Sequence, residues 1–348
     1  LRKLEYLYLS GNSLSSVPVD LPPTLKSLYL DNNYISTIPP TALSQTGNLE
    51  RLYLENNALT DDGITPGSLE GVSNLKYLIL SQNRLRSVPS ELPKSLEVLS
   101  LEDNRLTKIP PYKFYELQDL ERLYLNNNSL TNDGIADEAV ADQAFDGLGD
   151  LQLLDLSKNN LTSIPGDLPR SLQKLYLEGN ELSTLPLQSF KKVGSLTELD
   201  LSNNLLRTSG LHPTAFTFLP QLETLDISDN LLTLPPDNLP EGLRYLFLQS
   251  NDLTAIKRGA FTQLTNLKWL YLQNNRITDD KIESGAFELL LELYSLDMSA
   301  NYLTEVPSNL PASLEYLYLK DNDIGRIPGD AFSNTPKLRL LQLANNLL

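Results

Sequence analysis

"LEYLYLSGN", Leu4 to Asn12, alternates Leu7 and Leu9 with Tyr6 and Tyr8, so in an extended strand the leucines point to one face and the tyrosines to the other. The pattern L-x-L-x-x-N-x-(L/I), with Met or Ile at some leucine sites, returns along the whole chain. Its asparagine falls at Asn12, Asn33, Asn57, Asn83, Asn104, Asn128, Asn159, Asn180, Asn204, Asn230, Asn251, Asn275, Asn301, Asn322 and Asn346, fifteen copies in 348 residues. The intervals cycle through 21, 24 and 26 residues, a super-period of 71, with one exception: Asn128 to Asn159 is 31. The five extra residues fall within "IADEAVADQAF", Ile135 to Phe145.

A fixed cycle of this kind is a leucine-rich-repeat solenoid, one short strand per turn with a return segment on the far side. The expected architecture is α/β: a curved right-handed superhelix with a parallel concave sheet of about fifteen short strands. Its convex face would hold polyproline-like segments, turns and short helices. Residues 1–348 are expected to form a single repeat domain, an interior segment of a longer chain without its terminal caps. The two strand leucines, such as Leu317 and Leu319, stack turn on turn as a continuous core. Each ladder asparagine enters the same interior, where its amide must bond backbone groups of neighbouring turns.

The three intervals imply three return segments. The 21-residue type, "VPVDLPPTL" (Val17 to Leu25) and "VPSNLPASL" (Val306 to Leu314), has prolines that favour an extended run. The 24-residue type, "IPPYKFYELQDL" (Ile109 to Leu120) and "IPGDAFSNTPKL" (Ile327 to Leu338), has room for a helical turn over a buried Phe114 or Phe332. The 26-residue type opens "LTDDGI" at Leu59, with counterparts "LTNDGI", "LRTSGL" and "ITDDKI". Asp61 with Asp62, and Asp279 with Asp280, suggest calcium, but Thr208 and Ser209 fill the same places elsewhere, so a tight turn is the better account. Positive φ is expected at Gly63, Gly134 and Gly210, which makes Lys281 the odd member.

Two outward columns, six and four residues before each ladder asparagine, concentrate the aromatics. They hold Tyr6, Tyr77, Tyr245 and Tyr316 in the first column and Tyr8, Tyr29, Tyr53, Tyr124, Tyr176, Tyr271 and Tyr318 in the second, joined by Trp269 and Phe247. Eleven of sixteen tyrosines thus sit in 30 positions, where cross-strand packing alone is one account and a partner surface the other. Acidic residues take over the middle: Asp155, Glu198, Asp200 and Asp226, flanked by Glu178 and Asp229, with Asp297 further along. These columns are the expected partner-binding site, for a protein that touches aromatics near both ends and offers basic groups to the acidic centre.

Composition narrows the function classes. A net charge of -16 disfavours nucleic acid and polyanions, which are held by Lys and Arg. No apolar run reaches the ~18 residues of a membrane span. Zero cysteines remove disulfides and thiolate metal sites and leave the redox compartment undetermined. The single histidine, His212, stands beside Pro213, and no nucleophile motif, P-loop, dinucleotide fingerprint or metal spacing occurs. No catalytic residue, cofactor or metal is expected. Two sequons, Asn127 with Ser129 and Asn160 with Thr162, are candidate N-glycosylation sites, at a frequency that chance explains.

The one-short, two-long cycle, with x-P-x-x-L-P-x-S-L short repeats and "VPSNLPASLEYLYLKDNDIGRIPGDAF" at Val306 to Phe332, resembles the small leucine-rich proteoglycans, the podocan group above all. The resemblance implies a secreted extracellular-matrix protein that binds collagen, and sometimes growth factors, through its concave face. Family members carry cysteine clusters at both ends of the repeats, absent here, so secretion and capping are inferences from the likeness. A receptor ectodomain, marked by a membrane span beyond residue 348, and a cytoplasmic scaffold are the alternative recognition modules.

Overall fold

The computed structural model describes residues 1–132 and 143–348, which divide into two compact units, Leu1–Tyr176 and Leu177–Leu348. Gly134, and the part of the expected insertion from Ile135 to residue 142, lie outside the described residues.

The first unit holds β1 (Tyr6–Tyr8), β2 (Ser27–Tyr29), β3 (Arg51–Tyr53), β4 (Tyr77–Ile79), β5 (Val98–Ser100), β6 (Arg122–Tyr124), β7 (Leu153–Asp155) and β8 (Lys174–Tyr176). Each pairs in parallel with the next, in register: Leu7 beside Leu28, Leu28 beside Leu52, and so on to Leu175. The second unit repeats this with β9 (Glu198–Asp200), β10 (Thr224–Asp226), β11 (Tyr245–Phe247), β12 (Trp269–Tyr271), β13 (Ser295–Asp297), β14 (Tyr316–Tyr318) and β15 (Leu340–Gln342). Both are stretches of a leucine-rich-repeat solenoid. The strand leucines form the core; Leu28, Leu52, Leu199 and Leu270 are among its buried members.

Why a strand of three residues suffices is answered at its exit. The residue before every ladder asparagine has positive φ, between 50° and 69° in all fifteen turns, and only Gly11 and Gly179 are glycines there. This left-handed kink, tolerated best by Gly, Asn and Asp, turns the chain off the sheet and swings the asparagine inward. In the first unit Asn83 donates to the carbonyls of Leu54 (2.9 Å) and Leu80 (3.1 Å) and accepts from Leu59 N–H (2.9 Å). In the second unit Asn230 donates to Leu201 (3.0 Å) and Ile227 (3.3 Å) and accepts from Leu206 N–H (2.9 Å). One amide therefore ties two turns, as its donor and acceptor inventory required.

A second polar ladder crosses the strand entry. Thr24, Asn48, Asn74 and Ser95 each donate to a carbonyl of the preceding turn, at 2.7–2.9 Å. Asn266 and Ser313 do so in the second unit, at 3.2 and 2.9 Å.

The return segments depart from expectation in four ways. The 21-residue type is not a continuous polyproline run, because Asp20, Glu91, Asn238 and Asn309 are left-handed (φ 56°, 57°, 49° and 56°) and kink it just before the Leu-Pro pair. The 24-residue type forms successive i→i+3 turns rather than a helix: Lys113 N–H bonds to Pro110, Tyr115 to Tyr112, Leu117 to Phe114. A left-handed Tyr112 (φ 58°) and prolines without N–H groups prevent propagation. Phe114 is buried and stacks on Phe145 at 6.5 Å, as Phe190 does on Phe216 and Phe261 on Phe287, but Phe332 is only half-buried.

The fourth departure concerns the 26-residue type, where Asp61–Gly63, Thr208–Gly210 and Asp279–Lys281 are single 3₁₀ turns. Gly63 and Gly210 do not have positive φ. Their requirement is space: a Cβ on Gly63 would lie 1.9 Å from the Ser36 carbonyl oxygen, and one on Gly210 2.5 Å from that of Ser183. Lys281 is then no anomaly, since its φ is ordinary and the bond its carbonyl accepts from Ile256 is 3.1 Å, against 2.8 Å for Gly63 with Ile38. The acidic residue of this turn accepts backbone bonds from the next one. Asp61 Oδ1 takes Arg86 and Ser87 N–H, Asn132 Oδ1 takes Thr162 and Ser163 N–H, Thr208 Oγ1 takes Thr233 and Leu234 N–H, and Asp279 Oδ1 takes Thr304 N–H. The position needs an acceptor, not a charge.

Candidate protein-binding face

The parallel register places the two outward columns side by side on the open face of each sheet, away from the leucines. In the first unit Tyr8, Tyr29 and Tyr53 stand in one row and stack face to face, with centroids 4.4 and 4.7 Å apart and planes within 7°. Tyr6 and Tyr8 are exposed, whereas Tyr29, Tyr53, Tyr77, Tyr124 and Tyr176 are half-buried against their neighbours. The rings therefore pack on one another, as the packing account has it, while their outer edges remain accessible. Burial pushes the Tyr53 phenol above its ordinary value, so it is a neutral hydrogen-bonding group across the physiological range.

Charges flank this row. Arg51, Arg122 and Lys174 occupy the column six before the asparagine, and Arg51 lies 5.0 Å over the Tyr77 ring, a cation–π contact. On the opposite flank, two before the asparagine, stand Asp31, Glu55 and Glu102. Desolvation raises the Glu102 carboxyl above its usual range against a lowering bond from Asn126. Asp155 stands between Tyr124 and Tyr176 in the row, its Oδ1 accepting from Ser157 N–H at 2.9 Å.

The second unit reads differently. Its central row is Asp200, Asp226, Phe247, Tyr271, Asp297, Tyr318. Phe247 and Tyr271 stack at 4.8 Å and 5°; Trp269 lies 6.3 Å from Tyr271 and 6.5 Å from Tyr245. Tyr294, which the column rule misses because it stands one residue before the strand, closes the patch at 5.4 Å from Trp269 and 5.0 Å from Tyr316. Only a count of all aromatics near the strand, rather than of two columns, could have found it.

The aspartates are held, not floating. Asp200 and Asp226 each accept from the N–H (2.9 Å) and hydroxyl (2.6 Å) of the serine two residues on, Ser202 and Ser228. Burial, opposed by these bonds and reinforced by Asp200 and Asp229, pushes the Asp226 carboxyl up to about 6. Asp297 accepts only from Ser299 N–H, at 2.9 Å.

Of the other candidate residues, His212 is exposed and bonds within its own turn to Thr214, and Asn127 and Asn160 are exposed, with the Asn127 side chain bonded to Asp103.

The leucine-rich-repeat family model matches residues 23–89, 94–134, 170–232, 241–303 and 292–348, and a second leucine-rich-repeat model matches 3–23 and 150–170. Podocan of Mus musculus is 39% identical over 345 residues, 99% of this chain and 56% of its own length, so the chain spans little more than half of that relative. Lumican of Homo sapiens is 34% identical over 290 residues, 82% of each chain. Among solved structures, a leucine-rich-repeat protein of Leptospira interrogans superposes with a TM-score of 0.79 and 29% identity, over 98% of this chain and 84% of the other.

Proposed function

Because the chain belongs to the small leucine-rich proteoglycan family, we propose that it is a non-enzymatic binding module of the extracellular matrix that meets a protein partner, collagen first among candidates, on the open face of its sheet. One observation carries this: each unit presents stacked aromatic rings with charged flanks on the face that the core does not use. Tyr and Trp give rigid contact area with a polar tip, the chemistry that binding surfaces concentrate. Outward side chains that served packing alone would not need Asp226 kept half-buried beside Asp200. A growth factor is the alternative partner of the same face, and a secreted location goes with the family.

The test is a solid-phase assay of the chain against fibrillar collagen. Tyr29→Ala with Tyr53→Ala in the first unit, and Trp269→Ala with Tyr271→Ala in the second, are expected to cut binding about tenfold or more while melting shifts little. Unchanged binding by both pairs removes the face from the site. On the same reading Asn127 and Asn160, both exposed, are N-glycan acceptors. Mass spectrometry of secreted chain before and after enzymatic deglycosylation checks each one.

A further inference from the structure

The second unit's face has a more specific geometry than a generic aromatic surface. From β9 to β15 the two outward columns hold no lysine or arginine, while Asp200 and Asp226 bound the Phe247–Tyr271 stack on one side and Asp297 bounds it on the other. Each acid reaches the site with one oxygen already fixed. Asp226 Oδ1 is held by Ser228, and its Oδ2 carries no hydrogen bond among the described residues. The serine that follows β13, Ser299, behaves unlike its two equivalents in this unit. Ser202 and Ser228 donate their hydroxyls to their aspartates, but Ser299, 2% exposed, leaves Oγ without a partner beside Asp297. A buried, unpaired hydroxyl next to a carboxylate suits an N–H donor supplied from outside.

We propose that this face seats an extended polypeptide segment carrying two basic side chains four residues apart, one on Asp226 and one on Asp297, with the side chain midway between them lying on Phe247 and Tyr271. The spacing follows from the sheet. Asp226 and Asp297 are three strands apart in register, roughly 14 Å at the usual strand separation, and four residues of extended chain span about 13 Å. An arginine fits the Asp297 end, because its planar fork can meet the carboxylate while its flat face stacks on Tyr271. The groups around Asp226 are Glu198 and Asp200 from β9, Glu223 and Asp229 on its own turn, and Tyr245 and Phe247 from β11; the one base nearby, Arg244 at the entry of β11, is paired with Glu223 at 3.6 Å. With its carboxyl titrating at about 6, Asp226 is charged at neutral pH and loses that charge on mild acidification. This inference rests on the protein-binding reading above and narrows its partner class.

Trp269, the only tryptophan of the chain, stands in the patch and reports on it directly. The test titrates the full chain with a synthetic peptide, Gly-Ser-Arg-Thr-Leu-Thr-Arg-Ser-Gly, whose leucine lies midway between the arginines, and with its isomer in which the two arginines are adjacent, following Trp269 fluorescence and binding heat. The expected result is that the spaced peptide binds about tenfold more tightly than the isomer, and that Asp226→Asn and Asp297→Asn each erase that gap. Binding of the spaced peptide should weaken between about pH 7.5 and 5.5 in the parent chain and not in Asp226→Asn. Asparagine keeps the acceptor oxygen for the serine N–H, and a cooperative melt no lower than the parent's confirms the fold. Equal affinity of the two isomers, or a gap that survives in both variants, overturns the proposal. If the isomers bind alike while fibrillar collagen still binds and is lost in Trp269→Ala with Tyr271→Ala, this inference falls and the broader reading stands; if the isomers differ but collagen is ignored, the collagen assignment falls instead.

Discussion

In the first unit the tyrosine row runs between Arg51, Arg122 and Lys174 on one flank and Asp31, Glu55 and Glu102 on the other, whereas in the second unit the columns six and four before the asparagine hold aromatic, acidic and neutral residues and no base, and the column two before holds one base, Lys320. Underneath, the two are alike: the same leucine register, the same asparagine bonds, the same left-handed residue at each strand exit. The repeat therefore dictates only what faces inward. Each outward position varies without disturbing its neighbours, because a repeat touches little beyond the turns before and after it. Differences between the faces are the place to look for function, and likenesses are the place to look for stability.

The largest expected effect tests the likeness. Asn83→Ala and Asn230→Ala each strip two donated bonds and one accepted bond from buried backbone groups. At about 1–3 kcal/mol per stranded group the loss is roughly 3–9 kcal/mol, in both units alike. Chemical denaturation measures it. A large loss in one unit and a negligible one in the other would break the claim that the ladder is uniform.

Asp226→Asn tests the difference. The folded chain holds this carboxyl at about 6, above the ordinary value near 4, so between those pH values the folded state binds a proton that the unfolded state releases. Stability from this group accordingly falls as pH rises from 4 to 6, and the ionised form is a burden at pH 7. The asparagine variant is expected to be more stable at pH 7 by about 1–3 kcal/mol, a gain that vanishes near pH 4; paired melts at the two pH values decide. A residue that lowers stability where the chain works is one retained for another purpose.

The sequence showed much of the inside and less of the outside. Period and alternation located every strand, because leucine at two fixed sites and asparagine at a third are forced by burial and hydrogen bonding. The strand-exit kink was visible as Asn, Asp or Gly before most ladder asparagines, yet Gln82, Lys158, Ser250 and Ala300 adopt it too, so the backbone imposes it and composition only favours it. Gly63 illustrates the converse. A glycine suggests φ freedom, but a contact with Ser36, 27 positions away in the chain, is what excludes a side chain, and no local rule contains that. On the face, the columns of aromatics were legible, but which rings stack and which aspartate is desolvated depend on neighbouring turns.

Gly63 and Lys281 give the next comparison between units. Gly63→Ala forces its Cβ onto the Ser36 carbonyl, backbone that cannot swing aside, and should cost about 2 kcal/mol by denaturation. Lys281→Gly removes an exposed side chain from a turn that already admits one, and should change stability by less than about 1 kcal/mol.

The smallest effect sharpens the reading of the acidic turns. Asp61 accepts two backbone N–H groups and the Ser87 hydroxyl of the next turn, and Asn132 does the same work in its own repeat without a charge. Asp61→Asn keeps the acceptor and should leave the melting temperature within error, with or without calcium. Asp61→Ala removes it and should cost about 1 kcal/mol, since the freed groups are exposed enough for water to replace most of the loss. A calcium-dependent rise in melting temperature that Asp61→Asn abolishes would restore a metal to this turn, and would mean that the paired carboxylates do in one repeat what an amide and a threonine cannot do in the others.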